Sequence, residues 1–231
     1  RYLTPSVLRP LERAGVPVVM TLHDFKPWCT NRILFAHGSP CERCLGGRHW
    51  RALTTRCVQG SRAKSAVGAL EAYVHDAVGA YRAVHLWIAP SRFVLEKARE
   101  FGVAPERLRL VPHGVERGSG GSGGSAAGAG ATAPERYVLY AGRLSVEKGA
   151  RLLPTLAQRI ALVPLIVVGE GPLRAWLEQQ ARALPNLRLV GYQTDEALAG
   201  LRAAASVAVV PSLFYEHFCY TAAEALLDAR P

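Results

Sequence analysis

The stretch PSLFYEHFCYTAAEAL (211–226) places two carboxylates, Glu216 and Glu224, eight positions apart. A carboxylate accepts hydrogen bonds from two neighbouring hydroxyls, such as those of a ribose or a hexose. Upstream, AGRLSVEKG (141–149) carries the cations Arg143 and Lys148, both long enough to reach a diphosphate. Gly142 allows backbone to approach a ligand closely, and a helix start behind it is expected to offer free N–H groups. GEGP (169–172), headed by Gly169, is a third stretch, this one glycine-rich. Two carboxylates and two cations together fit a ligand with a sugar at both ends and a diphosphate between. One Glu alone on an exposed helix would be only a solvated side chain.

These residues need elements to hold them. In the second half, YVLYAG (137–142), PLIVVG (164–169), LRLVG (187–191) and SVAVVPS (206–212) read as strands. Helical stretches fall between and after them, over 149–161, 172–183, 194–204 and about 219–229. The chemistry-bearing stretches therefore follow strand ends, where open α/β sheets bind ligands. In the first half, VPVVMTLH (16–23), AVHLWIAPS (83–91) and LRLVPHG (108–114) read as strands. Ser65 to Val84 carries Val67, Leu70, Tyr73, Val74 and Val78 at helical spacing. Ser91 followed by RFVLEKAREFG reads as an N-cap, a helix and a terminating Gly102. Alternation of strands and helices predicts parallel sheets built from βαβ units. The expected organisation is a Rossmann-like domain over 1–117, with a Cys-rich insert over about 29–57. A flexible Gly/Ser/Ala linker over 118–134 and a second Rossmann-like domain over 135–231 follow.

The chain has 231 residues, 49% apolar and 20% charged, the balance of a globular protein. It opens with Arg1 and lacks a signal peptide's start, so it is expected to be a partial sequence. No apolar run of about 18 residues exists to span a membrane. The net charge is +10, and residues 1–117 carry 18 basic against 9 acidic side chains. Arg43, Arg48, Arg51, Arg56, Arg62 and Lys64 occur with no acid among them. Such a patch suits an anionic membrane, a lipid diphosphate or a nucleic acid, or is a solvated face. No run here looks able to insert, so high salt is expected to release any membrane contact. Nucleic acid fits poorly, because Trp50 is the one aromatic residue between 43 and 64 available for base stacking.

Cys29, Cys41, Cys44 and Cys57 follow a C-x11-C-x2-C-x12-C spacing. Three readings stay open: a structural zinc held by four thiolates, reduced thiols in an irregular insert, or disulfides. His37 and His49 are spare candidate ligands. A reducing, cytoplasmic compartment is expected.

YVLYAGRLSVEKG, the GEGP turn and PSLFYEHFCYTAAEALLDARP together resemble the family-4 glycosyltransferases of GT-B fold, including that family's E-x7-E motif. TLHD (21–24), IAPSRF (88–93) and VPHGV (111–115) resemble its landmarks in order and spacing. The resemblance implies two Rossmann-like domains facing a cleft. It also implies retaining transfer of a sugar from a nucleotide-diphosphate donor to a saccharide or polyprenyl-linked acceptor, of the bacterial polysaccharide or glycolipid type. By the same resemblance Arg143 and Lys148 bind the diphosphate, Glu224 the ribose and Glu216 the donor sugar. His23 stands near donor sugar and acceptor, and no metal is required for catalysis. Gly142, Gly169, Cys219, Tyr220 and Thr221 complete the substrate-binding set. After the first Glu the family carries Pro, then Phe-Gly; here His217, Phe218 and Cys219 stand instead, and Cys219 crowds the approach to phosphate. A non-catalytic nucleotide-sugar-binding protein of the same fold, and a basic Cys-rich nucleic-acid module, are the competing readings.

Overall fold

A computed structural model describes residues 5–115 and 136–231. The linker expected over 118–134 lies outside the described residues. The chain divides into two compact units, one of residues 1–113 with 214–218, the other of 114–213 with 219–231.

In the first unit, helix α1 (Leu8–Arg13) leads into strand β1 (Val18–Thr21). A hairpin of β2 (Phe35–Ala36) and β3 (Ser39–Pro40) and the short helix α2 (Arg51–Thr55) belong to the Cys-rich insert. Helix α3 (Arg62–Ala77), β4 (Val84–Ala89), α4 (Arg92–Glu100) and β5 (Leu108–Leu110) follow. The sheet is parallel, in the order β1-β4-β5. Its core gathers Leu22, Phe25, Val84, Trp87, Val94 and Leu108. Ser91 caps α4 by accepting from the Val94 N–H at 3.3 Å.

Helix α3 stops at Ala77 rather than running to Val84. Gly79, at φ +60°, turns the chain there so that β4 can begin. The side that α3 buries is small: Ser65 and Ala69 are buried, and a Cβ on Gly68 would stand 2.7 Å from Thr30 Cγ2. The larger apolar residues read from the periodicity face outward, with Val67, Leu70, Tyr73, Val74 and Val78 all exposed.

The second unit is a four-stranded parallel sheet in the order β8-β7-β6-β9, with β6 at Val138–Ala141, β7 at Leu165–Val168, β8 at Leu187–Gly191 and β9 at Val207–Ala208. Helices α5 (Leu153–Arg159), α6 (Arg174–Ala181) and α7 (Asp195–Ala204) alternate with the strands, and α8 (Tyr220–Leu227) follows β9. Every residue of β7 is buried, which accounts for its unbroken LIVV sequence. Side chains alternate between two cores: Tyr140, Leu165, Val167 and Leu187 line one face, Leu139, Ile166 and Val168 the other. The chain builds outward from β6 to β8, then returns to place β9 on the other side of β6. Open α/β sheets bind ligands at such a reversal, here at the carboxyl ends of β6 and β9.

Candidate nucleotide-sugar site

The loop after β6 is held by backbone. The Gly142 N–H donates to Val168 O at 3.0 Å and the Leu144 N–H to Glu170 O at 2.8 Å. Tyr140 Oη donates to Arg143 O at 2.9 Å. The GEGP turn lies so close that a Cβ on Gly169, at φ +130°, would stand 2.0 Å from Gly142 O. Gly169 thus serves the contact between two loops, a different task from the ligand approach its sequence context suggests. Gly142 is different: a Cβ there would meet only Tyr140 Oη at 3.4 Å, so its surroundings tolerate a side chain. Gly149, at φ +74°, closes the loop against Pro211 O, which a Cβ would approach to 1.9 Å. The side chain of Arg143 is exposed and Lys148 is half-buried. At the start of the next helix the Gly149 and Ala150 N–H groups are engaged, donating to Val146 O and Ser145 O at 3.0 and 3.2 Å. Arg143 and Lys148 are the cations that this loop offers to a diphosphate.

Helix α8 is fastened to the same strand end, because Thr221 Oγ1 donates to Ala141 O at 3.2 Å. Cys219 precedes the helix without capping it through its side chain, and Tyr220 is exposed. One turn on, Glu224 Oε2 accepts from Arg202 Nη1 at 2.9 Å, and Arg202 Nε reaches Asp228 Oδ2 at 2.5 Å. Arg202 is only 7% exposed, so this pairing is sheltered from water. It fixes one carboxylate oxygen of Glu224 from behind. Sequence reasoning missed Arg202 and Asp228; the available signal was an arginine at a core-facing position of α7, next to Leu201 and four positions from Leu198.

Glu216 lies in the segment 214–218, which groups with the first unit. Its neighbours are aromatic. The Tyr215 ring lies 4.9 Å from Phe93, His217 lies 4.2 Å from Phe25, and Phe218 lies 5.3 Å from His113. His23 follows β1, is exposed, and stacks on His113 with centroids 5.1 Å apart and rings 5° from parallel. His113 was legible as part of the strand end LRLVPHG and of the VPHGV landmark, with no role of its own. His217, at the family's Pro position, is thus used in packing.

The cysteines of the insert are free thiols. Cys29, Cys44 and Cys57 stand near enough to interact electrostatically, and Cys57 packs against Cys44, Ala52 and Ala69. Cys29 Sγ donates to Asn31 Oδ1 at 2.9 Å, and burial pushes its pKa up to about 12. Burial likewise raises Cys44 and Cys57. Among the described residues no group of three or more His, Cys, Asp or Glu is arranged to hold a metal. That arrangement gives no support to a four-thiolate zinc site of Cys29, Cys41, Cys44 and Cys57. His49 is engaged elsewhere, with Nε2 2.9 Å from Asp76 Oδ2.

Comparison with known proteins bears on the family and the fold. A phosphatidylinositol dimannoside mannosyltransferase of Mycobacterium tuberculosis, described as GDP-mannose-dependent, is 40% identical over 106 residues, covering 44% of this chain and 27% of that protein. A glycogen synthase of the same species is 38% identical over 101 residues, covering 41% of this chain and 24% of its own length. The chain thus matches only about a quarter of the length of these relatives. Among solved structures, Anabaena Alr3699/HepE in complex with UDP superposes with a TM-score of 0.64 at 20% identity, covering 99% of this chain and 57% of that one. Residues 135–231 match Glycosyl transferases group 1, and residues 2–118 match Glycosyltransferase Family 4. With that match spanning half its length and both units folded as parallel α/β sheets, the chain belongs to the family-4 glycosyltransferases of GT-B fold.

Proposed function

We propose that the protein transfers a sugar from a nucleotide-diphosphate sugar to a saccharide or lipid-linked acceptor, with retention of configuration at the transferred carbon. The observation that carries this reading is the reversal of strand order at the carboxyl ends of β6 and β9. Arg143 and Lys148 stand on the loop after β6, and Glu224 on α8 is held by Arg202. The free face of Glu224 takes the ribose hydroxyls. Arg143 and Lys148 meet the diphosphate and offset the charge that grows as its bond to the sugar breaks, the task a metal ion performs in other transferases. Glu216 contacts the donor sugar, and His23, steadied by His113, faces donor sugar and acceptor. In a front-face course the leaving phosphate oxygen takes the acceptor's proton as the new glycosidic bond forms.

The HepE complex with UDP and the GDP-mannose dependence of the mycobacterial relative support a nucleotide-diphosphate donor. The relative's phosphatidylinositol dimannoside acceptor supports a lipid-linked one, and glycogen synthase supports a saccharide. Among the described residues no helix is long and apolar enough to cross a membrane. In this reading a lipid-linked acceptor is met peripherally at the cytoplasmic face, through the basic patch of Arg43, Arg48, Arg51, Arg56, Arg62 and Lys64. The test is product analysis by NMR with nucleotide-diphosphate sugars and lipid or oligosaccharide acceptors. A product with the donor's anomeric configuration is expected. An inverted product overturns retention, and no transfer with any donor overturns the enzyme reading.

A further inference from the structure

Helix α3 is built the wrong way round for a helix whose job ends at the protein core. Its buried side carries Ser65, Gly68 and Ala69, where Ser65 Oγ accepts from the Val58 N–H at 3.1 Å. Its outer side carries Val67, Leu70 and Val74 at 68%, 65% and 50% exposure, continued by Val78 at 44%. These positions, spaced 3, 4 and 4 apart, form one straight ridge about three turns long. Trp50 and Leu53, 52% and 39% exposed, stand just before and on α2, which packs on α3, and the Trp50 N–H donates to Tyr73 Oη at 3.1 Å. An isolated exposed Leu needs no explanation, but a continuous bulky ridge with an aromatic flank does.

The charges around the ridge select its occupant. Arg62 and Lys64 stand at the head of α3, and Arg51 lies over the Trp50 ring at 5.5 Å. The acids on α3 are both engaged: Glu71 pairs with Lys26 at 2.5 Å, and Asp76 lies 2.9 Å from His49 Nε2. A ridge of aliphatic side chains with a tryptophan beside it and arginines at its margin matches a bilayer interface rich in anionic headgroups. A second copy of this chain would bring the same cations together.

We propose that α3 with the Trp50 flank seats its ridge in the interfacial layer of an anionic bilayer, so that binding has an apolar component that salt does not remove. This rests on the peripheral-membrane reading above and revises its expectation that high salt releases the protein. The basic patch provides attraction at a distance and the ridge provides retention.

The experiment is co-sedimentation of the purified protein with vesicles of 70:30 phosphatidylcholine and phosphatidylglycerol at low and high salt. The variant V67Q/L70Q/V74Q alters exposed positions only, and unchanged circular dichroism and melting temperature show that it folds. The wild type should stay largely bound at high salt, whereas the variant should bind at low salt but lose about tenfold or more in partition coefficient at high salt. Brominated lipid should quench the wild type's fluorescence, and W50F should lose part of that quenching. Binding at low salt with full release of the wild type at high salt overturns the ridge and leaves the basic patch standing. No binding at either salt overturns both. A wild-type dimer that the triple variant dissolves, without vesicle binding, makes the ridge a self-association surface and overturns the proposal.

Discussion

Arg202 on α7 holds Glu224 on α8, with Nη1 2.9 Å from Oε2, while its Nε takes Asp228 at 2.5 Å. One buried guanidinium thus orders two carboxylates of one helix, and one of them is the candidate ribose ligand. Removing a buried partner strands charge, so R202M should cost roughly 2–4 kcal/mol in urea unfolding. R202K, whose single ammonium cannot reproduce the fork, should cost less in stability yet still weaken nucleoside-diphosphate binding. Equal unfolding midpoints for R202M and wild type would show the pair to be incidental.

The glycines at these strand ends separate into two kinds. G169A forces a Cβ to 2.0 Å from Gly142 O at φ +130°, and no flexible side chain is there to give way. A loss of roughly 3 kcal/mol or more, or failure to fold, is expected. G142A meets only the Tyr140 hydroxyl at 3.4 Å. It should melt near wild type, and any loss should appear in nucleotide affinity. Similar melting for both variants would contradict this division.

The strands were legible as short apolar runs and most helices by their period of 3.6, because in a parallel α/β chain these patterns record burial directly. The LIVV run of β7 is the clearest instance. The expected strand over 206–212 shrinks to Val207–Ala208, since Pro211 has no N–H for a ladder and the chain bends there to meet Gly149. The short pieces of the insert, β2, β3 and α2, have too few residues to show a period. Helix α3 misleads in another way: its pattern is helical, but periodicity does not say whether an apolar face meets a core or something outside. In the site, Arg143, Lys148 and Glu224 were readable from type and spacing. Arg202 was not, because its partnership with Glu224 depends on how α7 and α8 pack.

Burial raises Cys29 from an ordinary 9.0 to about 12, so folding favours its neutral thiol. That contribution is complete below pH 9 and declines as pH rises from there towards about 12. The wild type should therefore lose more stability than C29A between about pH 8 and about pH 10. The native thiol should also alkylate far more slowly than in denaturant. Identical alkaline losses for the two proteins would remove the thiol from the account.

Arg143 and Lys148 are assigned to charge that grows as the diphosphate leaves. R143A and K148A should each lower kcat by about tenfold to a hundredfold or more, with a smaller rise in KM for the donor. A variant with full kcat would mark that residue as a surface cation.

The central claim is that the carboxyl ends of β6 and β9 form a nucleoside-diphosphate site with Glu224 as its ribose ligand. Calorimetric titration of UDP, GDP and ADP into the wild type and E224A tests it most directly. At least one nucleotide should bind the wild type saturably, and E224A should weaken it by roughly 2–4 kcal/mol whether or not a sugar is attached. Saturable binding that E224A leaves unchanged, or a wild type that binds none of the three, would contradict the claim.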